Sequence, residues 1–194
     1  MVESAVSRTT PFVLGIAGGS CSGKSTLARR VGAELANFGR SVEVLGLDAF
    51  YTRDVVRGPM VTLSDGTTMF DFNQPTAIDA DVAVRAIERT GEEFLIVEGL
   101  FTLAIERIRA RLDYSVFVHL DADLRAIRRL LRDMKGGRAS TDPEFIARYY
   151  IESARVGHAK YVEPSRAFAN VEIIGDEAGI AVAIPPLTAQ ILGA

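Results

Sequence analysis

Short apolar runs alternate with amphipathic stretches along most of the chain. The runs Phe12 to Ile16, Val42 to Leu47, Phe94 to Val97, Ser115 to Leu120 and Val171 to Ile174 are bounded by polar residues or glycine, which predicts five buried strands. Between them, apolar positions recur at helical spacing over Lys24 to Phe38, Asp79 to Arg89, Asp123 to Met134 and Pro143 to Val162. Strands alternating with helices close through right-handed crossovers into a parallel sheet, so the expected fold is α/β, a doubly wound five-stranded parallel sheet. Tyr51 to Thr76 carries Gly58-Pro59, Asp65-Gly66 and Pro75 without a sustained period and is expected to form a long irregular connection at the carboxyl edge of the sheet. Past Ile174, the segment Ile180 to Ile184 offers a short edge strand.

At 194 residues, 48 % of them hydrophobic and 24 % charged, the chain has ordinary globular composition and the length of one domain, taken as 1–194 with a flexible start over 1–10. A net charge of -3 argues against a general nucleic-acid binder, which must neutralise many phosphates. The single cysteine excludes an internal disulfide, and one Cys with two scattered His residues excludes a zinc site. No signal peptide or membrane span is apparent, so a cytoplasmic protein without a membrane partner is expected. A homo-oligomer stays open.

The chemistry is concentrated in Gly18-Gly19-Ser20-Cys21-Ser22-Gly23-Lys24-Ser25, followed by Thr26, between the first strand and the first helix. A glycine, four residues and then Gly-Lys-Ser make a phosphate loop: the glycines let backbone N–H groups converge on phosphate oxygens and the helix offers its positive end. Lys24 would bridge the β- and γ-phosphates, and Ser25 would set its hydroxyl on Mg²⁺. Cys21 reads as a small filler of the loop. Asp48 and Glu98 each end an apolar strand on the edge where an open α/β sheet gathers ligand groups, which makes both candidates for the metal. A turn residue at Asp48 and a satisfied strand-end carboxylate at Glu98 are the plainer alternatives, while Asp121 and Asp123 fit helix capping.

In the helix from Asp123, Leu124, Ile127, Leu131 and Met134 form one stripe and Arg125, Arg128, Arg129 and Arg132 the other. A solvated basic face is expected for Arg125 and Arg128. The flexible stretch Lys135 to Ser140, followed by the cap-like Asp142-Pro143, suggests a closing lid over about 135–142. His119 reads as a satisfied core residue, and His158 as a surface or substrate-edge group.

Taken in order, these segments resemble the uridine kinase and phosphoribulokinase family of P-loop kinases over roughly Phe12 to Gly175. The phosphate loop, Asp48-Ala49-Phe50-Tyr51, Phe70-Asp71-Phe72-Asn73-Gln74-Pro75, Val97-Glu98-Gly99-Leu100, Arg128 to Asp133 and Tyr161 to Ser165 carry the likeness. The resemblance implies a P-loop NTPase fold of the nucleoside-kinase type with a small helical lid. It further implies ATP and Mg²⁺, with transfer of the γ-phosphoryl group to a hydroxyl of a small molecule such as a nucleoside or riboside. By the same likeness Asp48 is the base; Ser25, Glu98 and Asp48 lie near the metal; Arg129, Arg132 and Arg138 close over phosphates; Tyr51, Asn73 and Arg129 face the acceptor.

Three features depart from the family pattern. Asn73 stands where the nucleoside kinases carry an Asp, the connection Arg89 to Phe94 is too short for their base-binding hairpin, and Gly136-Gly137-Arg138 replaces Arg-Gly-Arg. The expectation is therefore donor-side chemistry kept and a nucleobase pocket reduced or absent, with an acceptor other than uridine left open. A kinase of pantothenate, glycerate, a sugar or a phosphosugar, or a catalytically silent nucleotide-binding module, are the alternatives.

Overall fold

The computed structural model describes residues 10–52, 54, 58–136 and 140–193. Five strands form one parallel sheet: β1 (Phe12–Gly18), β2 (Val42–Gly46), β5 (Phe94–Gly99), β6 (Tyr114–His119) and β7 (Val171–Ile174), in the spatial order β2-β5-β1-β6-β7. The sequence order reverses beside β1, which puts its carboxyl end at the switch point where open α/β sheets bind ligands. Each face of the sheet is apolar because side chains alternate along a strand. Phe12, Leu14 and Ile16 of β1 face α1 (Lys24–Asn37) and the C-terminal helix (Glu177–Leu192). Val13 and Ala17 face α2 (Ala80–Glu88) and α3 (Glu106–Arg109) on the other side.

All five expected strands are present within one or two residues of their expected bounds, and the local signals mark the helix starts. Asp79 caps α2 by accepting from the Val82 N–H at 3.0 Å. Asp142 accepts from the N–H groups of Glu144 and Phe145 ahead of the long helix that begins as Pro143–Tyr149. Asp123 accepts from the adjacent Leu124 N–H, whereas Asp121 holds the N-cap position of α4 (Ala122–Met134) without a side-chain cap bond.

The structure corrects three readings. Ile180 to Ile184 is no edge strand but part of the C-terminal helix, whose Asp176 cap and buried Ile180, Leu187 and Ile191 outweigh the prolines inside it. The connection after Tyr51 is not wholly irregular. It holds an antiparallel hairpin, β3 (Met60–Thr62) with β4 (Thr68–Phe70), turning at Asp65 and Gly66; strands of three residues are too short to register as a period. The helix expected over Pro143 to Val162 is continuous in path but widens into π turns at Tyr150–Ala154 and His158–Val162, a feature that often marks functional sites. The lid expected over about 135–142 falls partly outside the described residues, and Arg138 lies wholly outside them.

Candidate functional site

The phosphate loop sits where β1 ends. Gly18 has φ +149, and a Cβ there would lie 2.4 Å from the Val118 carbonyl oxygen, so only glycine lets the strand turn so close to β6. Cys21 adopts φ +62, the one positive φ among described residues that are not glycine. This is the strained backbone of a loop whose shape is imposed by its surroundings. Lys24 Nζ donates to the Gly19 carbonyl at 3.3 Å, folded back over the loop it would serve. Ser25 Oγ donates to Glu98 Oε1 at 2.9 Å. That contact joins the first turn of α1 to the end of β5, and Gly46 at the end of β2 flanks the same carboxylate.

Lys24, Ser25, Thr26, Asp48, Glu98, Arg128 and Arg132 share a cavity of about 320 Å³ with Ser20, Cys21, Gly23 and Leu100. A Mg²⁺ held by phosphates keeps several waters and needs only one or two protein oxygens. The adjoining Ser25 hydroxyl and Glu98 carboxylate, with Asp48 on the same wall, suit that role. No cluster of three or more His, Cys, Asp or Glu side chains placed to hold a metal ion occurs among the described residues.

A second cavity, of about 480 Å³, adjoins the first; Ser20, Asp48 and Leu100 line both. Its remaining wall contains Tyr51, Met69, Phe72, Asn73, Arg129, Asp133, Phe145, Ile146 and Tyr149. Tyr51 meets Phe72 edge to face at 5.0 Å, and Phe145 stacks on Tyr149 at 6.2 Å. Asn73 is buried in a polar network. Its Nδ2 lies 2.9 Å from Tyr149 Oη and 2.8 Å from Ser153 Oγ, and Asp71 Oδ1 accepts from both Ser153 Oγ and the Asn73 backbone. Two residues earlier in the chain, the buried Asp71 side chain also accepts from the Asn73 amide, at 3.3 Å. Burial raises the Tyr149 hydroxyl above its ordinary pKa, keeping it neutral in this network. The long helix packs against Asn73 at Gly157, where a Cβ would lie 2.2 Å from the Asn73 carbonyl oxygen.

On helix α4 the structure overturns the expectation for Arg125 and leaves the apolar stripe outward. Leu124, Ile127, Leu131 and Met134 are exposed, whereas Arg125, Arg129 and Asp133 are buried. Arg125 Nε donates to the Leu120 carbonyl at 2.9 Å, so this residue is structural and not part of a solvated basic face. Arg128 does lie at the surface, but its guanidinium donates to the Gly175 carbonyl at 3.0 Å beside the phosphate loop. Arg129 and Arg132 converge on Asp133, at 3.4 and 2.8 Å. Burial lowers the Arg129 pKa, opposed by the Asp133 charge. The polar residues turn inward because they face the two cavities and the loop carbonyls, where hydrogen bonds offset the cost of desolvation.

His119 is not the satisfied core residue expected, and His158 lies not at the surface but beside Ser20 and Asn73, the substrate-edge alternative of its reading. His119 is at the end of β6 with its side chain 40 % exposed, 3.6 Å from Asp121. His158 is enclosed, 3.2 Å from Glu163, and burial, with Arg125 adding to it, lowers its pKa to about 4. Of the residues singled out in the sequence, the structure gathers Lys24, Ser25, Asp48, Glu98 and Arg132 around one cavity and Asp48, Tyr51, Asn73 and Arg129 around the next. Missed were Met69, Asp133, Phe145, Ile146 and Tyr149. The aromatic pair four residues apart on one helix was the available signal for the last group.

The model of the phosphoribulokinase / uridine kinase family matches residues 85–177. A uridine kinase of Deinococcus deserti is 35 % identical, over 84 % of this chain and 87 % of its own length. One from Geobacillus kaustophilus is 31 % identical over 93 % of each. Among solved structures, a Silicibacter kinase ascribed to a fructose transport system aligns with a TM-score of 0.66 at 18 % identity, covering 85 % of this chain and 90 % of its own. Shikimate kinase from Acinetobacter baumannii aligns at 0.55 and 17 % identity, covering 95 % and 94 %. With relatives of this identity over most of its length, and a cavity along its phosphate loop that adjoins a second one, this protein is a small-molecule kinase that belongs to the phosphoribulokinase / uridine kinase family.

Proposed function

We propose that the protein transfers the γ-phosphoryl group of ATP, bound with Mg²⁺, to a hydroxyl of a nucleoside or riboside. The observation that carries this reading is the position of Asp48, on the wall common to the two cavities, where a donor phosphate and an acceptor hydroxyl would meet. In-line transfer demands positioning and charge neutralisation more than covalent catalysis. Asp48 would orient the hydroxyl and accept its proton. Lys24 and Arg132 would take the charge of the phosphates, with the loop from Gly18 to Thr26 cradling them and Arg138 of the lid adding a further cation. Ser25 and Glu98, with Asp48, would hold the ion, whose part is to neutralise phosphate oxygens. Tyr51, Asn73 and Arg129 would face the acceptor. The uridine kinases among the relatives and the aromatic lining of the larger cavity support an acceptor with a flat ring attached to a sugar. An enzyme of this kind works in the cytoplasm, where ATP is plentiful.

The test is ADP release by the purified protein with Mg·ATP against nucleosides, ribosides, sugars, pantothenate and glycerate, with Lys24→Ala as the blank. Release stimulated by nucleosides or ribosides and absent from the blank is expected. Stimulation by another acceptor alone would move the assignment, and ATP binding with no stimulation would overturn it.

A further inference from the structure

The β3–β4 hairpin makes no strand pairing with the main sheet, yet it forms one side of the larger cavity through Met69 and, just beyond it, Phe72. The opposite side is the long helix, through Phe145, Ile146 and Tyr149. Two sets of contacts fasten these elements together. At the base, buried Asp71 accepts from Ser153 at 2.9 Å, within the network around Asn73. At the tip, both the backbone N–H and the hydroxyl of Ser64 donate to Glu152, at 2.7 and 2.6 Å, and Arg148 pairs with Asp65 while its other nitrogen donates to Glu144 at 2.9 Å. The turn itself is preformed: Gly66 has φ +85, Asp65 accepts from the Thr67 N–H at 2.9 Å, and Leu63 is buried. Arg148 and Glu152 stand four residues apart on the helix, alongside the stripe of Phe145 and Tyr149 that lines the cavity.

Bonds across the tip do not touch either cavity, so their effect on the reaction is through the spacing of the two walls. We propose that Glu152 and Arg148 are positioning residues for acceptor selection: they clamp the hairpin tip to the long helix and so fix the width of the acceptor cavity. The inference rests on the larger cavity being the acceptor site. A clamp of this kind acts on the acceptor and not on ATP, because Met69 and Phe72 line only the acceptor cavity of the two. It also separates this chain's acceptor recognition from the short Arg89 to Phe94 connection, since the enclosing wall comes from a hairpin earlier in the chain.

Glu152→Ala and Arg148→Ala are compared with the wild type in two ways. Steady-state kinetics should show the KM for the acceptor rising about tenfold while the KM for ATP stays within about twofold, as expected for loss of a charged hydrogen bond that holds one wall. Amide hydrogen exchange without any ligand should quicken across residues 60–70 in both variants. Arg148→Lys, which keeps the charge toward Asp65 and Glu144, should lose less than Arg148→Ala in both measurements. Faster exchange with an unchanged acceptor KM would overturn the role in selection, as would equal rises for acceptor and ATP. Unchanged exchange would overturn the clamp itself, whatever the wild-type activity. A wild type that no acceptor stimulates would instead fail the functional reading.

Discussion

The two cavities that meet at Asp48 are built in opposite ways. The cavity at the phosphate loop is mostly one contiguous loop whose geometry is imposed by backbone, with Gly18 pressed against β6 and Glu98 fixed between β1 and β2. The larger cavity, the proposed acceptor side, is gathered from separated segments: the turn after β2, the hairpin, α4 and the long helix. Its walls are held by side-chain bonds, some buried and some at the surface. A backbone-built site tolerates little change in its ligand, whereas a side-chain-built one can be refitted by a few substitutions. The same donor machinery can therefore serve different acceptors.

The strongest way to test this division is at the boundary. Asp48→Asn should lower kcat by about 10²- to 10⁴-fold, the usual contribution of a positioned general base, while ATP affinity measured by calorimetry changes little. An equal loss of ATP binding would mean that Asp48 belongs to the nucleotide side alone. Glu98→Gln should come next: a drop in kcat of tens of fold, on the order of 2 kcal/mol, relieved in part by higher Mg²⁺ in assays titrated with the metal. Failure of excess metal to recover any activity would leave Glu98 a strand-end carboxylate only.

A smaller effect is expected where the halves touch. His158 lines a narrow space with Ser20 of the loop and Asn73 of the acceptor network. Its folded pKa, about 4, lies below the unfolded value of 6.5, because burial, then Arg125 and to a smaller extent His119, oppose the charge more than Glu163 favours it. The unfolded chain thus binds the extra proton first. The stability present above pH 6.5 should decline as pH falls toward 4. Thermal melts should show that decline, and His158→Gln should flatten it. The smallest effect sharpens the account of α4: Ile127→Glu should alter stability by no more than about 0.5 kcal/mol, as for other surface sites, in denaturant unfolding. A large loss would mean that the exposed stripe is packed in solution.

The central sheet, the phosphate loop and the carboxylates at the ends of β2 and β5 were legible because each rests on local pattern: a β-branched run, glycines at fixed spacing, an acid after an apolar strand. What the sequence withheld depends on partners far away. The periodicity of α4 shows that it has two faces but not which one the protein encloses, and here Arg125 and Arg129 are buried, with Arg125 bonded to a loop carbonyl and Arg129 lining the larger cavity. His119 and His158 carry identical chemistry in the sequence, and only the packing of the long helix separates them. The hairpin escaped notice because its strands are short and its fastening runs to residues more than 80 positions away.

Gly157 shows how closely the long helix approaches the wall of the larger cavity at Asn73. The long helix rests against the carbonyl of Asn73 at a point where one hydrogen stands in place of a side chain. Tyr149 and Ser153 ride on the same rod, so its distance from the sheet is shared by every group that it presents. An added methyl would act as a wedge near the middle of that rod, prising its aromatic end from the hairpin without altering a lining residue. The gauge of the cavity is thus written in an atom that is missing.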